Sequence, residues 1–123
     1  MTSLPFDFGF LERFSIPLKR FGAGEKIFLE GDSGDQMYLV VEGKVNIVTY
    51  GTVLENVGMH GIFGEMALIE NAPRSAAAIA VEPTEVAIID KPTFVELVRD
   101  NPLFSLYVMR HLANRIRRMN ESL

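Results

Sequence analysis

Cysteine is absent from the sequence. That excludes disulfides, thiolate metal sites and cysteine-ligated iron–sulfur clusters, and it fits a reducing compartment, so a cytoplasmic location is expected. Long apolar runs are also missing: none approaches the roughly 18 residues needed to span a bilayer. The stretch from Met1 to Phe14 has no basic n-region and is broken by Pro5, Asp7, Gly9 and Glu12, so it does not read as a signal peptide. An excess of positive charge is lacking too, with 12 Lys+Arg against 16 Asp+Glu and a net charge of −4, which disfavours a nucleic-acid partner. Histidine is scarce. His60 and His111 have no second histidine at metal-ligand spacing, so neither a cupin-type metal site nor haem is expected.

The 123 residues that remain are 48% apolar and 23% charged, enough to build a core and too apolar for disorder. The length suits a single domain, 1–123, in three zones. Residues 1–22 carry aromatic and apolar side chains (Phe6, Phe8, Phe10, Phe14, Phe21) punctuated by Pro5, Gly9 and Pro17, and read as a helical cover with a short helix around Phe8 to Ser15.

Residues 23–90 are rich in short strands and glycine turns. Strands are expected at Ile27–Leu29, Met37–Val41, Lys44–Tyr50, Thr52–Val57, Ala76–Val81 and Glu85–Asp90, with Glu42-Gly43 as a hairpin turn and a short helix at Glu65–Ile69. That spacing predicts a mainly β fold, an antiparallel β-roll or jelly-roll-like barrel. Residues 91–123 are helical, with Asp90 capping one helix and Asn101-Pro102 opening a longer one. Phe104, Val108, Leu112, Ile116, Met119 and Leu123 form an apolar stripe along that last helix. Arg110, Arg115, Arg117 and Arg118 lie off the stripe, where they complement the negative end of the helix.

The chemistry concentrates between Phe63 and Ala78, which reads Phe-Gly-Glu-Met-Ala-Leu-Ile-Glu-Asn-Ala-Pro-Arg-Ser-Ala-Ala-Ala. Glu65 in a first helical turn ordinarily complements the macrodipole, and an isolated arginine such as Arg74 is ordinarily a solvated residue or half of an ion pair. Together they suggest more. A guanidinium offers forked donors to phosphate oxygens. A carboxylate beside that anion would repel it unless it accepts a hydrogen bond from the same ligand, as it would from a ribose hydroxyl. One arginine, no lysine and no Walker-type loop limit the ligand to a single diester charge.

This segment resembles the phosphate-binding cassette of cyclic nucleotide-binding domains, such as occur in the catabolite activator protein, in regulatory subunits of cAMP-dependent protein kinase and in cyclic-nucleotide-gated channels. The resemblance continues upstream through Gly24-Glu-Lys-Ile-Phe-Leu-Glu-Gly-Asp-Ser-Gly-Asp and Tyr38-Leu-Val-Val-Glu-Gly-Lys-Val, and downstream through two helices, covering roughly 22–123. It implies a cassette at 63–76 in which Glu65, beside Gly64 and Met66, accepts the ribose 2′-hydroxyl and Arg74 pairs with the equatorial phosphate oxygen. Backbone N–H groups of Ala67 and of Ser75 or Ala76 complete the cradle. The Ser75 hydroxyl lies near the base edge. A hydroxyl there, threonine above all, favours guanine in this family, while serine is also common in bacterial cAMP sensors. cAMP is the expected ligand and cGMP the alternative. Aligning the last helix places Met119 and Asn120 near the base, against a bland reading of a core methionine and an exposed asparagine.

The resemblance implies a non-catalytic sensor, with no cofactor, that passes ligand binding to an effector protein through its C-terminal helices. Two alternatives stay open. One is a ligand-free module that homodimerises through the last helix, against which the presence of both Glu65 and Arg74 argues. The other is the sensory part of a longer transcription regulator or channel.

Overall fold

The structure, a computed structural model, describes residues 8–121. Phe6 of the aromatic cover and Leu123 of the apolar stripe lie outside the described residues. Strands β1 (Leu18–Phe21), β8 (Thr84–Asp90), β3 (Gln36–Glu42) and β6 (Ile62–Phe63) form one sheet in that order. Strands β2 (Lys26–Phe28), β7 (Ala77–Ala80), β4 (Val45–Thr49) and β5 (Thr52–Val57) form a second. All pairings are antiparallel. The helices are α1 (Phe10–Arg13), α2 (Glu65–Glu70), α3 (Lys91–Asp100) and α4 (Pro102–Glu121). The mainly β fold with C-terminal helices is as expected, but its roll is two separate sheets rather than a closed barrel.

Side-chain alternation explains the layering. On β3, Tyr38 and Val40 face the second sheet, where they pack with Val45, Val57, Ala78 and Ala80. Met37 and Leu39 face the other way, onto Phe10, Leu68, Leu97, Phe104 and Val108 of the four helices. β8 repeats the pattern, with Val86 inward and Ala87 and Ile89 toward the helices. Both strands are therefore apolar on two faces, as a central layer requires.

Two helix starts follow the expected capping. Asp90 accepts a hydrogen bond from Thr93 N at 2.9 Å, and Asn101 from Phe104 N at 3.3 Å. The upper half of the stripe, Phe104 and Val108, is buried, whereas Ile116 and Met119 are exposed. Tyr107 on α4 donates its hydroxyl to the His60 carbonyl, and His60 stacks on Phe8 with ring centroids 4.4 Å apart.

Three local expectations are corrected. The cover is not helical throughout, because Leu18–Phe21 is a strand paired along its length with β8. Ile62–Phe63, given no strand in the sequence reading, pairs with β3. Glu42-Gly43 is not a hairpin: β3 already has β8 and β6 on its two edges, and the chain crosses there to the other sheet. Gly43, with φ 103°, makes that crossing under Thr84, whose Oγ1 would lie 2.4 Å from a Cβ at position 43. Thr84 Oγ1 also accepts from Lys44 N at 3.2 Å. The tight hairpin comes one strand later, at Tyr50-Gly51, where both residues have positive φ (49° and 73°), as a type I′ turn demands.

Candidate functional site

A cavity of about 680 Å³ opens between the second sheet, α2 and the far half of α4. Gly64, Glu65, Met66, Ala67, Arg74, Ser75 and Ala76 all line it, as does Met119. Asn120 does not: it is exposed near the end of α4, away from the cavity lining.

Arg74 is only 5% exposed. Its Nη1 donates to Gly64 O at 2.7 Å and its Nη2 to Gln36 O at 2.8 Å, which fixes the plane of the fork. The guanidinium carbon sits 4.1 Å from the Phe28 ring centroid and 5.6 Å from that of Tyr38, within cation–π range. Burial raises the Tyr38 phenol pKa, with the Arg74 charge opposing. Arg74 Nε is buried and has no hydrogen-bond partner among the described residues. A buried charged donor left without a partner is costly.

Gly64 holds the turn into α2 at φ 78°. What its missing side chain spares first is Arg74, since a Cβ there would lie 2.9 Å from Nη1 and 3.2 Å from Tyr38. Gly34, not singled out in the sequence, packs on the same group: a Cβ would lie 2.6 Å from Arg74 Nε and 2.8 Å from Ala67 Cβ.

Glu65 is 1% exposed. Its Oε1 lies 3.0 Å from His111 Nε2 and 3.1 Å from Arg115 Nη2, both on α4. Both contacts are close in distance, while the two carboxylate oxygens have no partner at full hydrogen-bond geometry among the described residues. Burial pushes the Glu65 carboxyl up. The neighbouring His111 and Arg115 outweigh it and hold the group below the usual glutamate value.

A second carboxylate joins this cluster. Glu55 on β5 accepts from Arg115 Nη2 at 2.9 Å and from Arg118 Nη2 at 3.2 Å. Arg115 and Arg118 thus tie α4 to the sheet and the cavity wall, a more specific role than complementing the helix end. His111, Arg115 and Arg118 are spaced i, i+4, i+7, one helical face, which is the signal by which the sequence shows them. Glu55 stands two residues before the buried Val57, an inward position on its strand.

The site therefore offers a fixed, partly unpartnered guanidinium and a buried ionised carboxylate in one cavity. The sequence model of the cyclic nucleotide-binding domain family matches residues 18–101, more than half of the chain. The chain belongs to the cyclic nucleotide-binding domain family. Over 86 residues, 70% of the chain, it is 37% identical to a cAMP-dependent protein kinase regulatory subunit of Yarrowia lipolytica, spanning 23% of that protein. Over 84% of its length it is 30% identical to a CRP-like cAMP-activated global transcriptional regulator of Mycobacterium tuberculosis, spanning 48% of it. The Thermus thermophilus catabolite activator protein is structurally similar, with TM-score 0.79 and 32% identity over 91% of this chain and 55% of that one. The chain thus spans less than half of either curated relative. As a cyclic nucleotide-binding domain it has a cavity within the range of about 300–1,000 Å³ usual for small ligands.

Proposed function

We propose that this domain is a sensor that reversibly binds one cyclic mononucleotide, cAMP, without catalysing a reaction on it, and passes binding to its C-terminal helices. The observation that carries this reading is Arg74: a guanidinium locked by two backbone carbonyls that keeps a buried donor without a partner. A phosphate oxygen supplies that partner. Glu65 accepts the ribose hydroxyl, Gly64 and Met66 flank it, and the backbone at Ala67, Ser75 and Ala76 completes the cradle. Met119 is the α4 side chain that meets the base, in preference to Asn120. The cAMP in the names of both curated relatives supports the choice of base, with cGMP as the alternative.

Ligand shifts α4 by binding its docked and undocked positions unequally. Exposed apolar side chains of α4 outside the cavity, among them Met109 (56%) and Ile116 (59%), form the surface on which a second copy or an effector protein reads that shift. The three-zone division of 1–123 as one sensor domain and the cytoplasmic location, which rests on the missing cysteine, belong to the same proposal. Titration calorimetry with cAMP, cGMP and a cyclic dinucleotide tests it. Saturable one-to-one heat with a cyclic mononucleotide is expected, and no heat with any of the three overturns it.

A further inference from the structure

The last helix brings two cationic or donor groups to Glu65, and they are not equivalent. Arg115 directs its hydrogen bond at Glu55 Oε1, 2.9 Å away, so Glu65 feels its charge but not its N–H. His111 Nε2 lies 3.0 Å from Glu65 Oε1, 3.9 Å from Glu55 Oε2 and 3.0 Å from Arg115 Nη2. It is the ring nitrogen nearest a carboxylate that is 1% exposed and makes no hydrogen bond of its own. With a proton on Nε2 the imidazole can donate across that contact, whereas with Nε2 bare it can only accept from Arg115. Both α4 groups make their closest approach to Oε1, which leaves Oε2 as the acceptor for a ligand hydroxyl.

We propose that His111 is a positioning residue of the ribose subsite: from α4 it holds Glu65 Oε1, so that Oε2 faces the ribose 2′-hydroxyl. This rests on the cyclic-nucleotide reading above and extends it, because α4 then helps to build the sugar site as well as meeting the base. Glu55 and Arg118 are the other charged groups facing this cluster. Glu55 holds Arg115 through Oε1 and Arg118 through Oε2, and the imidazole nitrogen stands 3.9 Å from Glu55 and 3.0 Å from Glu65.

The test is a ligand-modification cycle on the full chain. cAMP and 2′-deoxy-cAMP are titrated into the unsubstituted protein, His111→Ala, His111→Gln and Glu65→Gln. The unsubstituted protein is expected to prefer cAMP by about tenfold or more, the scale of one hydrogen bond to a charged group. His111→Ala is expected to lose most of that preference while its affinity for 2′-deoxy-cAMP changes by less than about threefold. His111→Gln, which keeps an amide donor, is expected to retain most of it. Equal weakening of both nucleotides by His111→Ala, or an unchanged preference, overturns the role. Carbon-13 NMR titration of the Glu65 carboxyl in the ligand-free protein gives a second readout, in which His111→Ala is expected to raise its apparent pKa and an unchanged value overturns the contact. Failure of the unsubstituted protein to bind either nucleotide overturns the cyclic-nucleotide reading and the ribose role with it. The NMR arm reports the His111–Glu65 contact separately from that result.

Discussion

Gly34 lies directly against the guanidinium of Arg74, with room for a hydrogen and none for a methyl group: a Cβ at position 34 would stand 2.6 Å from Nε. The arginine cannot retreat cheaply, because two carbonyls hold its fork and the Phe28 ring centroid lies 4.1 Å from its guanidinium carbon. Gly34→Ala is therefore expected to displace the phosphate-binding group and weaken cAMP binding by about tenfold or more, the cost of disturbing one charge-assisted bond. Calorimetry measures the loss, and circular dichroism should show an unchanged fold. Unaltered affinity would mean that Arg74 is not held in the position its ligand uses.

Acid should act through Glu65. Its carboxyl is held below its unfolded value, so its ionised form contributes stability at pH above about 4.3, and that contribution is lost as pH falls through the lower folded value. Urea unfolding of the unsubstituted protein and of Glu65→Gln, from pH 7 down to pH 3, checks this. The stability of the unsubstituted protein relative to the variant should fall as the pH drops below about 4. A difference independent of pH contradicts the assignment.

The fold was legible where its cause is local. Asp90 before Lys91-Pro92 and Asn101 before Pro102 show both helix starts through capping chemistry. It was illegible where partners are distant. Nothing near Leu18–Phe21 or Ile62–Phe63 says that β8 and β3 lie alongside, and Gly43 reads as a hairpin turn until both edges of β3 are known to be taken. The site divides in the same way. Its Glu65–Arg74 half is contiguous in sequence, while His111 and Arg115 meet Glu65, and Glu55 meets Arg115, only after the chain has folded.

Glu55 should govern the docking of α4. Replacing it with Gln removes the acceptor charge for Arg115 and Arg118. Each partly exposed pair contributes about 1 kcal/mol or less, so a small loss of global stability is expected, with a larger local effect. Hydrogen exchange of α4 amides from Arg115 to Glu121 should accelerate several-fold while those of β3 and β8 stay protected. Equal protection in both proteins would show that the helix is held by its apolar face alone.

The most direct measurement is the affinity of the full chain for cAMP before and after Arg74→Ala. The guanidinium is the phosphate's partner in this account, so saturable binding is expected in the unsubstituted protein and a loss of about a hundredfold or more in the variant, as befits removing the buried positive charge and its free donor from beside an anion. Equal binding by both proteins would contradict the account.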